Sequence, residues 1–252
     1  MDILYIVGTG SKHDNIELRM SLRSICKYGK NVGRVIVAGY PPDFLSDEVV
    51  KVPVANKYHR KHHNLVYCIQ QVVDSGYLRG DFLYSSDDHF YVKTVDFDNY
   101  PIFFKRTELR NHATPGERHY GYHLSLKETR ETLEKFHMPI VNFEQHCNTH
   151  MNAEVIRDSH EIIEASYKTE RGCAPTTLFM NAWMSRADGP RTFSKRSDIK
   201  MRAASSVREI RERIGDAECF SIGDAAFSTN ALMDFFKEEF PSPCKYEKEG
   251  VA

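Results

Sequence analysis

The six cysteines of this 252-residue chain, Cys26, Cys68, Cys147, Cys173, Cys219 and Cys244, include no C-x-x-C pair. Neither a zinc ribbon nor a disulfide scaffold is therefore predicted, and a reducing compartment suits the pattern. Long apolar runs are also missing. No window approaches the roughly 18 uncharged apolar residues that a bilayer crossing needs, and the opening MDILYIVGTGS has no basic flank before its apolar run stops at Gly8. Neither charge sign prevails: Lys and Arg number 34 against 35 Asp and Glu, for a formal net charge of -1. No global field draws the chain to nucleic acid or an anionic membrane, so any polyanion site must be local. Repeats, low-complexity tracts and Pro/Gly/Ser linkers are absent as well. The expectation is a soluble, cytoplasmic protein built as a single domain over 1–252.

What the chain does have is 41% hydrophobic residues arranged in recognisable runs. DILYIVG, GRVIVAGY, EVVKVPV and DFLYSS read as short buried strands, and helices are predicted after the first and third of them. In the first helix Asp14 and Glu17 have capping-box spacing, and Leu18, Leu22 and Ile25 repeat at helical intervals. HNLVYCIQQVVDSG is the second helix. Strand, helix, strand, strand, helix, strand predicts an α/β fold with a mainly parallel sheet flanked by helices, whose ligands bind at the carboxyl ends of the strands. Further on, YPIFFKR and AECFSIG read as strands, and SLKETRETLEKF, TTLFMNAWMS and ASSVREIRERIG as helices. DAAFSTNALMDFFKEEF reads as one last helix capped by Asp224 and stopped by Pro241 and Pro243.

Asp87 and Asp88 follow the DFLYSS strand directly, where such a sheet would place its chemistry. Adjacent carboxylates can hold a hard cation such as Mg²⁺ or Mn²⁺ and leave positions for substrate phosphates; they can equally cap a polar turn. His89 is a third metal ligand or a buried histidine. Near the first glycine turn, Gly8-Thr9-Gly10, Arg19 and Arg23 lie one helical turn apart, suited to phosphate or to pairing with acids such as Glu17. Lys61 belongs to KYHRKHH, a basic cluster that could grip a nucleotide phosphate or simply be solvated. His146 and His150 are spaced like a zinc pair but lack the glutamate that follows the first histidine, so a general base or phosphate donor is the better reading.

These segments fall in a familiar order. DNIELRMSLRS resembles the Asp-x-x-Glu-Leu-Arg-Tyr-Ser-Leu-Arg-Ser signature of the Stealth family, the sugar-1-phosphate transferases of capsule synthesis and lysosomal enzyme tagging. FLYSSDDHFYVK is similar to that family's Asp-Asp segment, NFEQHCNTHMN to its His-x-Pro segment, with FHMPIV a competing match, and CFSIGDAAFSTNALMDFFKEEFPSPCKYE to its last block. The chain departs from the pattern in three places: GTGSKHDN replaces the usual Val-Asp-Gly-Ser-Asp opening, no proline follows His146, and Gly223 stands before Asp224 in place of asparagine.

The resemblance implies a GT-A-like nucleotide-sugar fold, with residues up to about 95 forming the nucleotide-binding half and the remainder the acceptor and C-terminal helical half. It implies Mg²⁺ or Mn²⁺ on Asp87 and Asp88; His89 is a further candidate ligand on its position in the chain alone. It carries nucleotide-sugar binding, a UDP-sugar foremost, over to Arg19 and Arg23, and catalysis to Asp88, His146 and Asp224, while Gly8, Thr9, Gly10 and Lys61 join the nucleotide side on their position in the chain alone. The implied reaction moves a glycosyl or sugar-1-phosphate group to an acceptor hydroxyl. A 5-hydroxymethylated pyrimidine in phage-type DNA is one such acceptor, if KYHRKHH and Arg202 to Arg213 form a basic groove. The rival reading is a non-catalytic nucleotide-sugar or glycan binder.

Overall fold

The run DILYIV forms the central strand β1 (Asp2–Val7) because its residues are buried on both faces, as a parallel strand demands. In a computed structural model describing residues 1–195 and 199–250, the elements follow in chain order. After β1 come α1 (Ile16–Tyr28), β2 (Gly29–Lys30), β3 (Val35–Gly39), β4 (Val49–Pro53), α2 (Lys61–Asp74), β5 (Asp81–Ser85), β6 (His89–Tyr91), β7 (Val95–Asp96) and β8 (Phe103–Phe104). The second half contributes α3 (Tyr120–Lys135), β9 (Thr149–Asn152), α4 (Ala153–Asp158), α5 (His160–Tyr167), α6 (Pro175–Ser185), β10 (Ser194–Lys195), β11 (Lys200–Met201), α7 (Val207–Ile214), β12 (Cys219–Ile222), a 3₁₀ turn (Asp224–Ser228) and α8 (Ala231–Glu239).

The main sheet has the order β4-β3-β1-β5-β9. All its pairs are parallel except β5 with β9. Side chains alternate across it. Leu4, Ile36 and Phe82 pack with Val66, Ile69 and Leu178 on one face. Ile3, Tyr5 and Leu83 pack with Leu18, Leu22 and Ile25 of α1 on the other. A small sheet of β11, β12 and β6 shelters a third core under α7 and α8, centred on Phe90, Phe220, Phe235 and Phe236.

The chain leaves β1 for β3 and β4, then returns across the sheet to lay β5 on the far side of β1. The loops at the carboxyl ends of β1 and β5 therefore diverge, and the crevice between them is the switch point where open α/β sheets take ligands. Closure beside it needs a glycine at position 39, where φ is +94° and an added Cβ would lie 2.4 Å from the Val7 carbonyl oxygen.

Several expected details differ. The Asp14–Glu17 capping box does not form, because Asp14 and Asn15 take left-handed φ of 52° and 55°. Ser11 serves in its place: its Oγ accepts from the His13 and Asn15 amides and donates to Glu17. The final helix is broken into the 3₁₀ turn and α8, since Thr229 is extended and its hydroxyl donates to the Ala204 carbonyl at 2.6 Å. The cap position of that turn falls on Gly223, and Asp224, one residue further on, accepts from Lys12 instead. The predicted strand YPIFFKR shrinks to Phe103–Phe104. The segment holding His146 and His150 is a loop entering a strand, so helical ligand spacing does not apply to it.

Candidate functional site

Asp87 and Asp88 form the tight turn from β5 to β6, at the crevice. Tyr5 pairs with Ser85, so continuing that register brings position 87 level with Val7, next to the Gly8–Gly10 loop. The turn is held from below by two serines. Ser21 Oγ donates to the His89 carbonyl at 2.6 Å, and Ser24 Oγ accepts from the Tyr91 amide at 3.0 Å. Both serines are fully buried, so α1 clamps the strand that leaves the Asp87–Asp88 turn. Their positions in the Leu-Arg-x-Ser-Leu-Arg-Ser motif are thereby explained; the signal was two polar residues at helical spacing on an apolar face, and sequence reasoning passed over it. Replacing Ser24 by Ala orphans the buried Tyr91 amide, and a loss of about 1–3 kcal/mol in urea unfolding is expected.

Among the described residues no hydrogen bond reaches the Asp87 or Asp88 carboxyl from another residue; the Asp87 carboxyl is met by its own backbone amide. Burial pushes the Asp87 carboxyl up to about 6, helped by the like charges of Asp88 and Glu17 and opposed by Lys61 at the start of α2. Negative charge is thus concentrated beyond what the local cation offsets. Asp88 Oδ1 lies 3.7 Å from Nε2 of His89. The His89 side chain is only 5% exposed, so it neighbours Asp88 from within the fold. Among the described residues no group of three or more His, Cys, Asp and Glu side chains is arranged to hold a metal ion. The donor set still fits a hard cation of the Mg²⁺ class, which is bound by one or two carboxylates plus water and phosphate oxygens.

Other expected residues gather at the same end of the sheet. Gly8, Thr9 and Gly10 are exposed at the rim. The fold itself does not require glycine at position 10, where φ is ordinary and an added Cβ would meet nothing within 4 Å; close approach of a ligand to bare backbone remains as a reason for it. Lys12 reaches Asp224 at 3.3 Å, with both side chains largely exposed, and His13 stacks on Phe227 at 3.9 Å. Asp224 also follows closely on Ile222, whose amide donates to the Asp88 carbonyl at 3.3 Å, so it stands near the aspartate turn. His146 arrives from the other side: Thr149 pairs with Tyr84, so the loop before it runs along the carboxyl end of β5. His150 is buried and bonded to the Tyr100 carbonyl at 2.7 Å. Desolvation lowers its pKa, opposed by that bond, and the ring is a structural one.

Arg19 and Arg23 do meet a carboxylate, but it is the chain's own Glu247. Arg23 grips it bidentately at 2.6 and 2.7 Å and donates to the Phe240 carbonyl at 3.0 Å. Arg19 reaches it at 3.3 Å and lies over the Phe44 ring. Both guanidinium side chains are 11% exposed and Glu247 is 0% exposed. These arginines anchor the C-terminal tail.

Two cavities, of roughly 760 and 220 Å³, lie away from this crevice, beside the Ser46–Asp47 turn and the tail, and between α4, α5 and α6. Neither is lined by Asp87 or Asp88. Both are open troughs without a convergent catalytic set, so the carboxylate turn remains the better candidate. Of the residues named for a DNA groove, Arg208, Arg211 and Arg213 of α7 each pair with a glutamate. Among the described residues no helix is long and apolar enough to cross a membrane. No protein-family model matches the chain, and no curated protein matches it.

Proposed function

We propose that the chain is a metal-dependent transferase with a GT-A-like fold. It moves a glycosyl or sugar-1-phosphate group from a nucleotide diphosphate sugar, a UDP-sugar foremost, to an acceptor hydroxyl. The observation that carries this reading is the undercompensated Asp87–Asp88 pair at the switch point, facing a glycine loop whose backbone is open to solvent. Asp87 and Asp88 would hold Mg²⁺ or Mn²⁺, which when bound offsets charge on the pyrophosphate leaving group. Lys61 and the amides of Gly8 to Gly10 add positive potential on the nucleotide side. Asp224, near the aspartate turn, or His146, in the loop before β9, would accept the proton of the acceptor hydroxyl.

Attack at the anomeric carbon releases UDP, whereas attack at the sugar-bearing phosphorus releases UMP. Incubating the chain with UDP-sugars and Mn²⁺, with and without simple alcohol acceptors, is expected to release one of these nucleotides in a cation-dependent manner. Neither nucleotide above the protein-free rate contradicts an enzyme. A ligand-dependent rise in melting temperature without release would leave a binder of the same ligands.

A further inference from the structure

The loop between α3 and β9 holds an imbalance that the proposed chemistry has not used. Its first part is clamped to α6: Val141 exchanges two hydrogen bonds with Asn181, the Phe143 amide donates to Thr177 Oγ1, and Glu144 accepts from the Thr177 amide and from the hydroxyls of Thr176 and Thr177. Its last part is fixed as β9 against β5. Between these anchors, Gln145 and Asn148 each close both carboxamide atoms away from solvent without a hydrogen-bond partner. Asn148 is 2% exposed overall. Buried amides are almost always paired, and each unmet group costs about 1–3 kcal/mol, so a chain that retains two of them in one short loop needs a reason.

Position supplies one. With Thr149 opposite Tyr84, one further step of the register sets Asn148 beside Ser85, two residues before Asp87. The nucleotide loop lies on the β1 side of the aspartates and this loop on the β9 side. A ligand whose pyrophosphate sits at the aspartates, with its nucleotide toward Gly8–Gly10, therefore carries its remaining group toward residues 145–148. Carboxamides offer a donor and an acceptor side by side, the match for adjacent hydroxyls of a sugar. We infer that Gln145 and Asn148 form the subsite for the polyhydroxylated group on the distal phosphate, closed in this structure and opening to take it. This rests on the nucleotide-sugar reading above. The closed loop is held with its amides unmet, so ligand hydroxyls relieve a penalty that the ligand-free protein carries.

The test uses apolar near-isosteres, Asn148→Leu and Gln145→Met, in the full chain, with UDP, UDP-glucose, UDP-galactose and UDP-N-acetylglucosamine as probes in the presence of Mn²⁺. Calorimetry gives the ratio of Kd for UDP to Kd for the best UDP-sugar. In the variants this ratio is expected to fall at least tenfold while the Kd for UDP itself stays within about twofold. The melting temperature of the ligand-free variants is expected to stay level or rise by a few degrees, where loss of structural amides would lower it. An unchanged ratio in both variants overturns the inference while leaving the nucleotide site standing. Failure of the unmodified chain to bind UDP or any UDP-sugar overturns the reading beneath it, and this inference with it. Two variants are made so that misfolding of one, reported by lost UDP binding, leaves the other to decide.

Discussion

Replacing Asp87 by asparagine is expected to remove cation-dependent turnover, by on the order of 10³-fold, while making the ligand-free protein more stable at neutral pH. The two effects have one origin. Burial, then the charges of Asp88 and Glu17, raise the Asp87 carboxyl to about 6 from an ordinary value of 3.8. A raised acid pKa contributes stability that is complete below the unfolded value and is lost as pH rises through the folded one. The penalty is thus absent below about pH 4 and fully present above about pH 6. Two units correspond to at most roughly 3 kcal/mol, and with the carboxyl reaching solvent the retained part is on the order of 1 kcal/mol, or a few degrees in melting temperature. Melting curves of the two proteins should converge near pH 4 and separate near pH 7. Mn²⁺ should narrow the gap by stabilising the unmodified chain alone. A variant that is less stable at pH 7 and equally active would remove the turn from the site.

The second large effect lies elsewhere on α1. Glu247→Ala leaves the Arg19 and Arg23 guanidinium groups, both 11% exposed, without their shared carboxylate, and a loss of about 3–5 kcal/mol is expected in chemical denaturation. Burial alone would raise the Glu247 carboxyl; the forks of Arg23, the Cys244 amide and the charge of Arg19 outweigh it and hold the group below its ordinary 4.5. Its contribution is therefore present above about pH 4.5 and disappears as pH falls through the depressed value, opposite in sense to Asp87. Substituting Glu247→Leu together with Arg23→Met should recover part of the loss, because the Arg23 charge is removed along with its partner while Arg19 still lacks the shared carboxylate. A loss below about 1 kcal/mol for Glu247→Ala would show that the tail is not anchored in this way.

These two sites also mark what a sequence can disclose. The strands at 2–7, 35–39, 49–53 and 81–85 are legible because parallel strands buried on both faces are continuous apolar runs. Strand β9 is not, since Thr149, His150 and Asn152 break both the apolar run and the alternation, and only pairing with β5 defines it. The aspartate pair is legible because two acids end an apolar run. The engagement of Arg19 and Arg23 is not, because their partner lies 228 and 224 residues away in the chain. A guanidinium fork is equally suited to phosphate and to a carboxylate, and only tertiary structure says which one it meets. The same limit applies at Asn15: its left-handed backbone cancels a capping box whose residue types were all in place.

The central claim, that Asp87 and Asp88 together hold a divalent cation which carries a pyrophosphate, is tested most directly by Mn²⁺ titration followed by electron paramagnetic resonance. The unmodified chain and the Asp87→Asn/Asp88→Asn double variant are compared with and without UDP. The account predicts one Mn²⁺ per chain in the unmodified protein, bound more tightly with UDP present and weakened as pH falls below about 6, with at least 100-fold weaker binding in the double variant. Equal Mn²⁺ affinity in both proteins, or binding in the unmodified chain indifferent to UDP, would contradict it.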